Sequence, residues 1–386
     1  MRSWLSLLLL VCAPLWGVSK SPRWKASLEQ SFGLQSFDRE ASAVWMNQQG
    51  VLFLTPEQVL IYQVNRSAEQ AKLAPRGAGG GAGNFFLNIR VLSVQDGHLT
   101  KSLDLPTNAG LSRVMATRNG GFVARTGTTL NLYSADFQLV ASRELPLEKA
   151  APIEGWQVRV SPSGTEVVLL HEQVFANAEL LADNTVLHDG KAKVDVEVLN
   201  ADTLQSQKTF TLAHTLPFWA PADDLLVSSN PAHSYSDGQV GILDFNGSWS
   251  PIQADFQMTR SPCPYSVNAI DQQRIVVFGC ETLTVLSAAG KRVLSVNDSR
   301  FIFRSAAGSG SYLAVGCDHY RVGQGLAGGV SALSTRADRV EVYDMESHRR
   351  LMSVPIHGES VYYAISRQGD LAVIDGKALE MLRPGP

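Results

Sequence analysis

Five segments of this chain repeat one phrase. They are Leu130-Asn131-Leu132-Tyr133-Ser134-Ala135-Asp136, Val196-Glu197-Val198-Leu199-Asn200-Ala201-Asp202, Val240-Gly241-Ile242-Leu243-Asp244-Phe245-Asn246-Gly247, Leu283-Thr284-Val285-Leu286-Ser287-Ala288-Ala289-Gly290 and Val340-Glu341-Val342-Tyr343-Asp344-Met345-Glu346. Each is a short apolar run that stops on Asp, Asn or Gly, residues that turn the backbone through their own side chains or through a left-handed φ. A second apolar run precedes each across a turn, and a short alternating segment follows, which is the signature of consecutive antiparallel strands. A supersecondary unit copied in this way cannot bury its apolar faces alone. It must stack against its copies, and that requirement bounds the fold more tightly than any other feature.

The units can be laid end to end as four-stranded sheets. The first runs from about Ser42 to Pro106, with strands expected at Ala43–Leu54, Gln58–Val64, Phe85–Val94 and Leu99–Leu105. The others cover Leu111–Leu147, Trp156–Leu212, Leu216–Gln253, Tyr265–Val296 and Phe303–Ile356. The last has only three strands, Ser360–Ile365, Leu371–Ile374 and Lys377–Leu382. Three strands leave an unpaired edge, which needs a partner. The segment Arg23–Phe32 precedes the first unit and is free to supply the missing outer strand. The expectation is an all-β, seven-bladed β-propeller closed by an N-terminal strand, a single domain over residues 20–386.

In strand order, and in phrases such as Val340-Glu341-Val342-Tyr343-Asp344 and Val196-Glu197-Val198-Leu199-Asn200, the chain resembles the seven-bladed propellers of the WD-repeat and YVTN type over roughly Arg23 to Arg383. No Trp-Asp dipeptide or Gly-His pair marks the units, so the hydrogen-bond tetrad of WD repeats is not carried over. Six or eight blades stay open, because the first and third units are long. Helix has little support: Phe175–Leu181 has helical spacing, but Asp183 and Asn184 end it.

The N-terminus reads as a signal peptide over residues 1–19. Arg2 supplies a positive start, Trp4–Ala13 an apolar stretch centred on Leu7–Leu10, and Gly17 and Ser19 small residues for cleavage. The stretch is shorter than the roughly 20 residues needed to cross a bilayer. The expected mature protein is therefore exported, periplasmic or extracellular, monomeric and without a membrane span. The compact leader and sparse cysteines suit a bacterial exported protein. Of four cysteines, Cys12 leaves with the leader, and Cys263, Cys280 and Cys317 remain. If Asp271-Gln272 centres the turn of the fifth unit, antiparallel pairing sets Cys263 opposite Cys280, and a disulfide between them is expected with Cys317 free. A Cys280–Cys317 bridge and three reduced thiols are the rival readings.

Function is less legible. With 33 Lys plus Arg against 36 Asp plus Glu, the net charge of −3 gives no field for nucleic acid. The run Gly77–Gly83 lacks the Gly-Lys-Ser/Thr of a phosphate loop and precedes a strand, so it reads as a hairpin tip, as does Gly323–Gly329. None of the eight His has HxxxH or HExxH spacing, and no Gly-x-Ser-x-Gly elbow occurs. Asp223-Asp224 and Asp237 sit in turn contexts. No catalytic residue, metal site or cofactor is therefore assigned. The aromatic residues Trp45, Trp156, Phe218, Trp219, Tyr265 and Tyr362 fall in or beside the first strand of a unit, the one that lines the axis. With His319 at the sixth-unit insertion they form the candidate ligand platform, against a reading in which they only fill the space between blades. The resulting expectation is a binding or scaffold module for a protein, small-molecule or glycan ligand. The alternative is a propeller enzyme with an axial site, lactonase-like or glycan-active.

Overall fold

The computed structural model describes residues 21–37, 49–66, 85–107, 112–145, 156–173, 179–180, 186–187, 193–212, 219–229, 240–252, 266–279, 281–298, 300–319, 337–357 and 361–384. They form a seven-bladed propeller of four-stranded antiparallel sheets. After the opening strand β1 (Trp24–Ser27) and helix α1 (Leu28–Phe32), the first blade holds β2 (Gln49–Thr55), β3 (Gln58–Arg66), β4 (Phe85–Ser93) and β5 (Leu99–Thr107). The second has β6 (Ser112–Ala116), β7 (Phe122–Thr126), β8 (Thr129–Tyr133) and β9 (Leu139–Glu144). The third has β10 (Trp156–Val160), β11 (Glu166–Gln173), β14 (Lys193–Asn200) and β15 (Ser206–Leu212), with a small hairpin of β12 (Glu179–Leu180) and β13 (Val186–Leu187) between its second and third strands. The fourth comprises β16 (Trp219–Pro221), β17 (Leu225–Ser229), β18 (Val240–Asp244) and β19 (Trp249–Pro251). Then come β20 (Ser266–Ala269), β21 (Arg274–Gly279), β22 (Thr282–Ser287) and β23 (Arg292–Asn297) in the fifth. The sixth holds β24 (Phe301–Ser309), β25 (Tyr312–His319), β26 (Arg339–Asp344) and β27 (Arg349–Pro355).

The seventh blade is β28 (Val361–Ile365), β29 (Leu371–Asp375), β30 (Ala378–Leu382) and, as its outer strand, β1. Trp24 pairs with Met381 and Ser27 with Ala378. The closing strand is shorter than Arg23–Phe32, because the chain turns helical at Leu28. Ser27 caps the turn, its Oγ accepting from the Gln30 amide at 3.3 Å, and Gly33 ends the helix at φ 66°. Leu28 and Phe32, four apart, present one apolar face and are buried. Leu34 and Phe37 follow them into the space between blades 7 and 1, and Gln63 of β3 clasps Gln35, accepting its amide at 2.9 Å and donating to its carbonyl at 3.2 Å.

Burial follows the blade seams. Seven apolar clusters among the described residues each join two neighbouring blades. One spans blades 3 and 4 with Leu170, Val196, Trp219 and Leu243, and another spans blades 6 and 7 with Val342, Met352, Val361 and Leu371. Alternate residues of a strand serve the seams on its two sides, so the central strands are apolar on both faces. Val167 and Leu169 face blade 2, while Val168 and Leu170 face blade 4. The first strands touch one another in unbroken succession, from β2 through β6, β10, β16, β20 and β24 to β28 and back to β2, and so make the inner ring.

Candidate functional site

The two faces of the ring are built differently. Turns joining first to second strands meet in sequence around one face. A Cβ on Gly120 would lie 3.0 Å from Thr55 Cγ2, the Arg118 amide donates to the Gly164 carbonyl at 3.0 Å, and Ser163 Oγ donates to Asp223 Oδ1 at 2.5 Å. Further round, Arg274 reaches the Gly310 carbonyl at 2.8 Å, and Gly369 lies against the Tyr312 ring. These turns are short, Pro56-Glu57 and Gly310-Ser311 being the tightest. The connections from second to third strands and from blade to blade leave the opposite face. They include residues 67–84, 174–192, 230–239 and 253–265.

The inner ring is laced by polar contacts across its seams. Gln49 of β2 donates to the Tyr362 hydroxyl of β28 at 2.7 Å, and the edge of Phe37 meets the Tyr362 ring with centroids 5.2 Å apart. Tyr363 accepts from the Gly316 amide at 2.8 Å and shares a hydrogen bond with Ser305 at 2.7 Å, while burial pushes its hydroxyl well above the usual phenol range. Asn268 donates to the Ala306 carbonyl at 2.8 Å across blades 5 and 6. Between blades 3 and 4, Trp219 Nε1 donates to Gln157 Oε1 at 3.0 Å, and Arg159 lies 4.6 Å from the Trp219 ring centroid with its guanidinium donating to the Trp219 carbonyl.

Two groups of charged residues stand out within the blades. In blade 6 the carboxylate of Glu341 is buried and accepts from Arg350 at 2.9 Å, from Arg339 at 3.5 Å and from the Tyr343 hydroxyl. Arg304 pairs with buried Asp318 at 3.1 Å, and Arg339 covers the Phe301 ring at 4.0 Å. Each of these arginines has a carboxylate partner. In blades 2 and 3, three arginines have none among the described residues. Arg113 of β6 and Arg125 of β7 sit directly opposite one another in the sheet, and Arg159 of β10 is close enough for the charge of Arg113 to act on it. Arg125, 5% exposed, donates from Nε to the Gly127 carbonyl at 2.8 Å and from Nη1 to the Trp156 carbonyl of the next blade. Arg113 hydrogen-bonds Tyr62. Burial, with the charge of Arg113 adding to it, pulls the Arg125 guanidinium down to about 10 and that of Arg159 down to about 9.

Of the expected platform, Trp219 and Tyr362 are wedged between blades at 2% and 9% exposure, so neither ring presents a free face. Trp156 is half-buried and stacked on His171, with centroids 4.5 Å apart and planes 14° apart. His319 ends β25 opposite Phe301, with its side chain outside the described residues. Trp45, Phe218, Tyr265 and the runs Gly77–Gly83 and Gly323–Gly329 also lie outside them, as do Cys263 and Cys280. In the fifth blade Ser266 pairs with Phe278, one residue away from the register that sets 263 opposite 280, because Asp271, Gln272 and Gln273 all sit in the turn. Cys317 is a buried free thiol whose proton burial holds firmly. The arginines are the residues that the sequence reading passed over, although each interrupts an apolar first or second strand, as in Val158-Arg159-Val160. Among the described residues no group of His, Cys, Asp and Glu is placed to hold a metal ion, and no helix is long and apolar enough to cross a membrane.

No protein-family model matches the chain, and no curated protein matches it in sequence. Solved structures do match. The chain is similar to one in a crystal structure of the mitotic checkpoint complex, at 13% identity and a TM-score of 0.54 over 95% of this chain and 96% of that one. It is similar to Raptor of Chaetomium thermophilum at 10% identity and a TM-score of 0.53, over 88% of this chain and 28% of that one. The C-terminal WD40 domain of Sif2 matches at 10% identity and a TM-score of 0.47, over 88% of this chain and 96% of that one. At such identities the likeness is one of fold: this chain is a seven-bladed β-propeller.

Proposed function

We propose that this protein is an exported scaffold that binds a protein partner through the face opposite its short turns. The observation that carries the reading is the asymmetry of the ring, with tight, mutually bonded turns on one face and the long connections all leaving the other. A rigid closed frame lets such connections vary without cost to the blades, and binding residues concentrate on segments of this kind. The propeller in the mitotic checkpoint complex structure, found within an assembly, favours a protein partner over a small ligand.

Photo-crosslinking residues placed one at a time in the native host test the proposal. Lys377 and Arg300 are exposed on the long-connection face, and Glu57 and Gln272 are exposed on the short-turn face. A discrete adduct from the first pair and none from the second is expected. Adducts from the second pair alone, or from neither, would overturn the reading.

A further inference from the structure

We infer that Arg113, Arg125 and Arg159 form a binding site for a small, doubly charged oxyanion of the phosphate class at the inner strands of blades 2 and 3. The inference is independent of any protein partner.

Several carboxylates that the fold withdraws from water are met by an arginine. Asp370, wholly buried, is met by Arg383 through two hydrogen bonds of 2.7 and 2.6 Å. Glu197 is met by Arg143, buried Asp318 by Arg304, and buried Glu341 by Arg350 and Arg339. Removing an ion from water is costly unless an opposite charge compensates, and these pairs obey that rule. Arg113, Arg125 and Arg159 break it, since none of them has an ion pair with a carboxylate among the described residues.

Their geometry increases the cost. Arg113 and Arg125 are cross-strand partners in one antiparallel pair, where like charges repel. Among the described residues their acceptors are neutral: the carbonyls of Gly127, Trp156 and Trp219 and the Tyr62 hydroxyl. Arg159 donates to the Trp219 carbonyl and Arg113 hydrogen-bonds Tyr62, and a guanidinium has N–H donors beyond these to offer. Each guanidinium is a planar fork that matches a tetrahedral or planar oxyanion. Arg125 and Arg159 stay protonated at neutral pH even with affinity for the proton reduced, and among the described residues the group lacks the carboxylate that meets the arginine in each of the pairs above.

The test uses the full mature chain and inorganic phosphate, with sodium chloride holding ionic strength constant. Phosphate is expected to raise the melting temperature saturably, and calorimetry to show binding at about one site. Arg113→Gln and Arg159→Gln should each weaken that binding at least about tenfold, while Arg118→Gln, which removes an exposed arginine paired with Asp202, should leave it intact. Arg159→Lys, which retains the charge, keeps the proposal testable if Arg159→Gln does not fold, and it should bind more weakly than the unmodified chain but measurably. No saturable effect of phosphate beyond chloride, or equal binding by the unmodified chain and both glutamine variants, would overturn the inference.

Discussion

At the scale of the residue, two side-by-side turns show how closely the blades are fitted. Gly164 has φ 75°, and a Cβ there would lie 2.4 Å from the Arg118 amide nitrogen of the neighbouring blade. Gly127 has a similar φ of 66° with nothing within 4 Å. Gly164→Ala should therefore cost at least about 2 kcal/mol, from left-handed strain plus the clash, and Gly127→Ala about 1 kcal/mol from strain alone. Denaturant midpoints of the two variants check the order, and equal losses would mean that the seam yields. Glu166 gives a second expectation. Burial raises its carboxyl above the ordinary range, and the nearby charges of Asp224 and Asp223 act the same way, against the Asp224 amide that donates to it at 2.9 Å. The folded chain thus holds a proton that the unfolded chain releases. The stability from this group is complete below the ordinary glutamate value of about 4.3 and is lost as pH rises through the elevated one. Glu166→Gln should accordingly gain in melting temperature relative to the unmodified chain between about pH 4 and pH 7. A constant difference across that span would show that the carboxyl titrates normally.

At the scale of the element, most strands were legible because apolar alternation and Asn, Asp or Gly stops coincide. The expected strand Gln58–Val64 is the described Gln58–Arg66, and Leu99–Leu105 is Leu99–Thr107. What failed was local. Arg23–Phe32 reads as one extended stretch, but the Ser27 cap and the Leu28–Phe32 spacing are too brief for a helical period to show. The fifth-blade register slipped by one because turn length is not fixed by composition. The aromatic residues on first strands were legible as a class, yet whether an aromatic faces a ligand or a neighbouring blade depends on the adjacent unit. The arginine group was illegible for the same reason, since the charge of Arg113 in blade 2 acts on Arg159 of blade 3 only once the ring has formed. Leu28, with no exposed surface, tests the closing element: Leu28→Ala should cost about 2–5 kcal/mol, and Ser27→Ala about 1 kcal/mol through the lost cap. Thermal unfolding of both variants would show it, and unchanged midpoints would mean that the segment is not part of the stable core.

At the scale of the whole molecule, seven seams hold a ring in which, among the described residues, no blade has a private core. Opening one seam should therefore weaken both of its neighbours. Cys317 reports on this, because it is 1% exposed and its thiol is held protonated by burial. Iodoacetamide labelling followed by peptide mapping should find Cys317 unmodified in native buffer and labelled along the same denaturant curve as global unfolding, with Leu28→Ala shifting both together. Labelling ahead of that curve would mean that blade 6 opens alone. The pairing of Trp24–Ser27 with Ala378–Met381 also sets a schedule for biosynthesis. Chains fold from the N-terminus as they emerge, and six blades find all their strands in order, but the segment that emerges before them waits for the residues that emerge after them. Until then Trp24, Leu28 and Phe32 have no seam to enter, and the nascent chain carries a sticky end as it lengthens. Ring closure thus acts as a clock: the protein becomes a finished object only when its last strand is delivered.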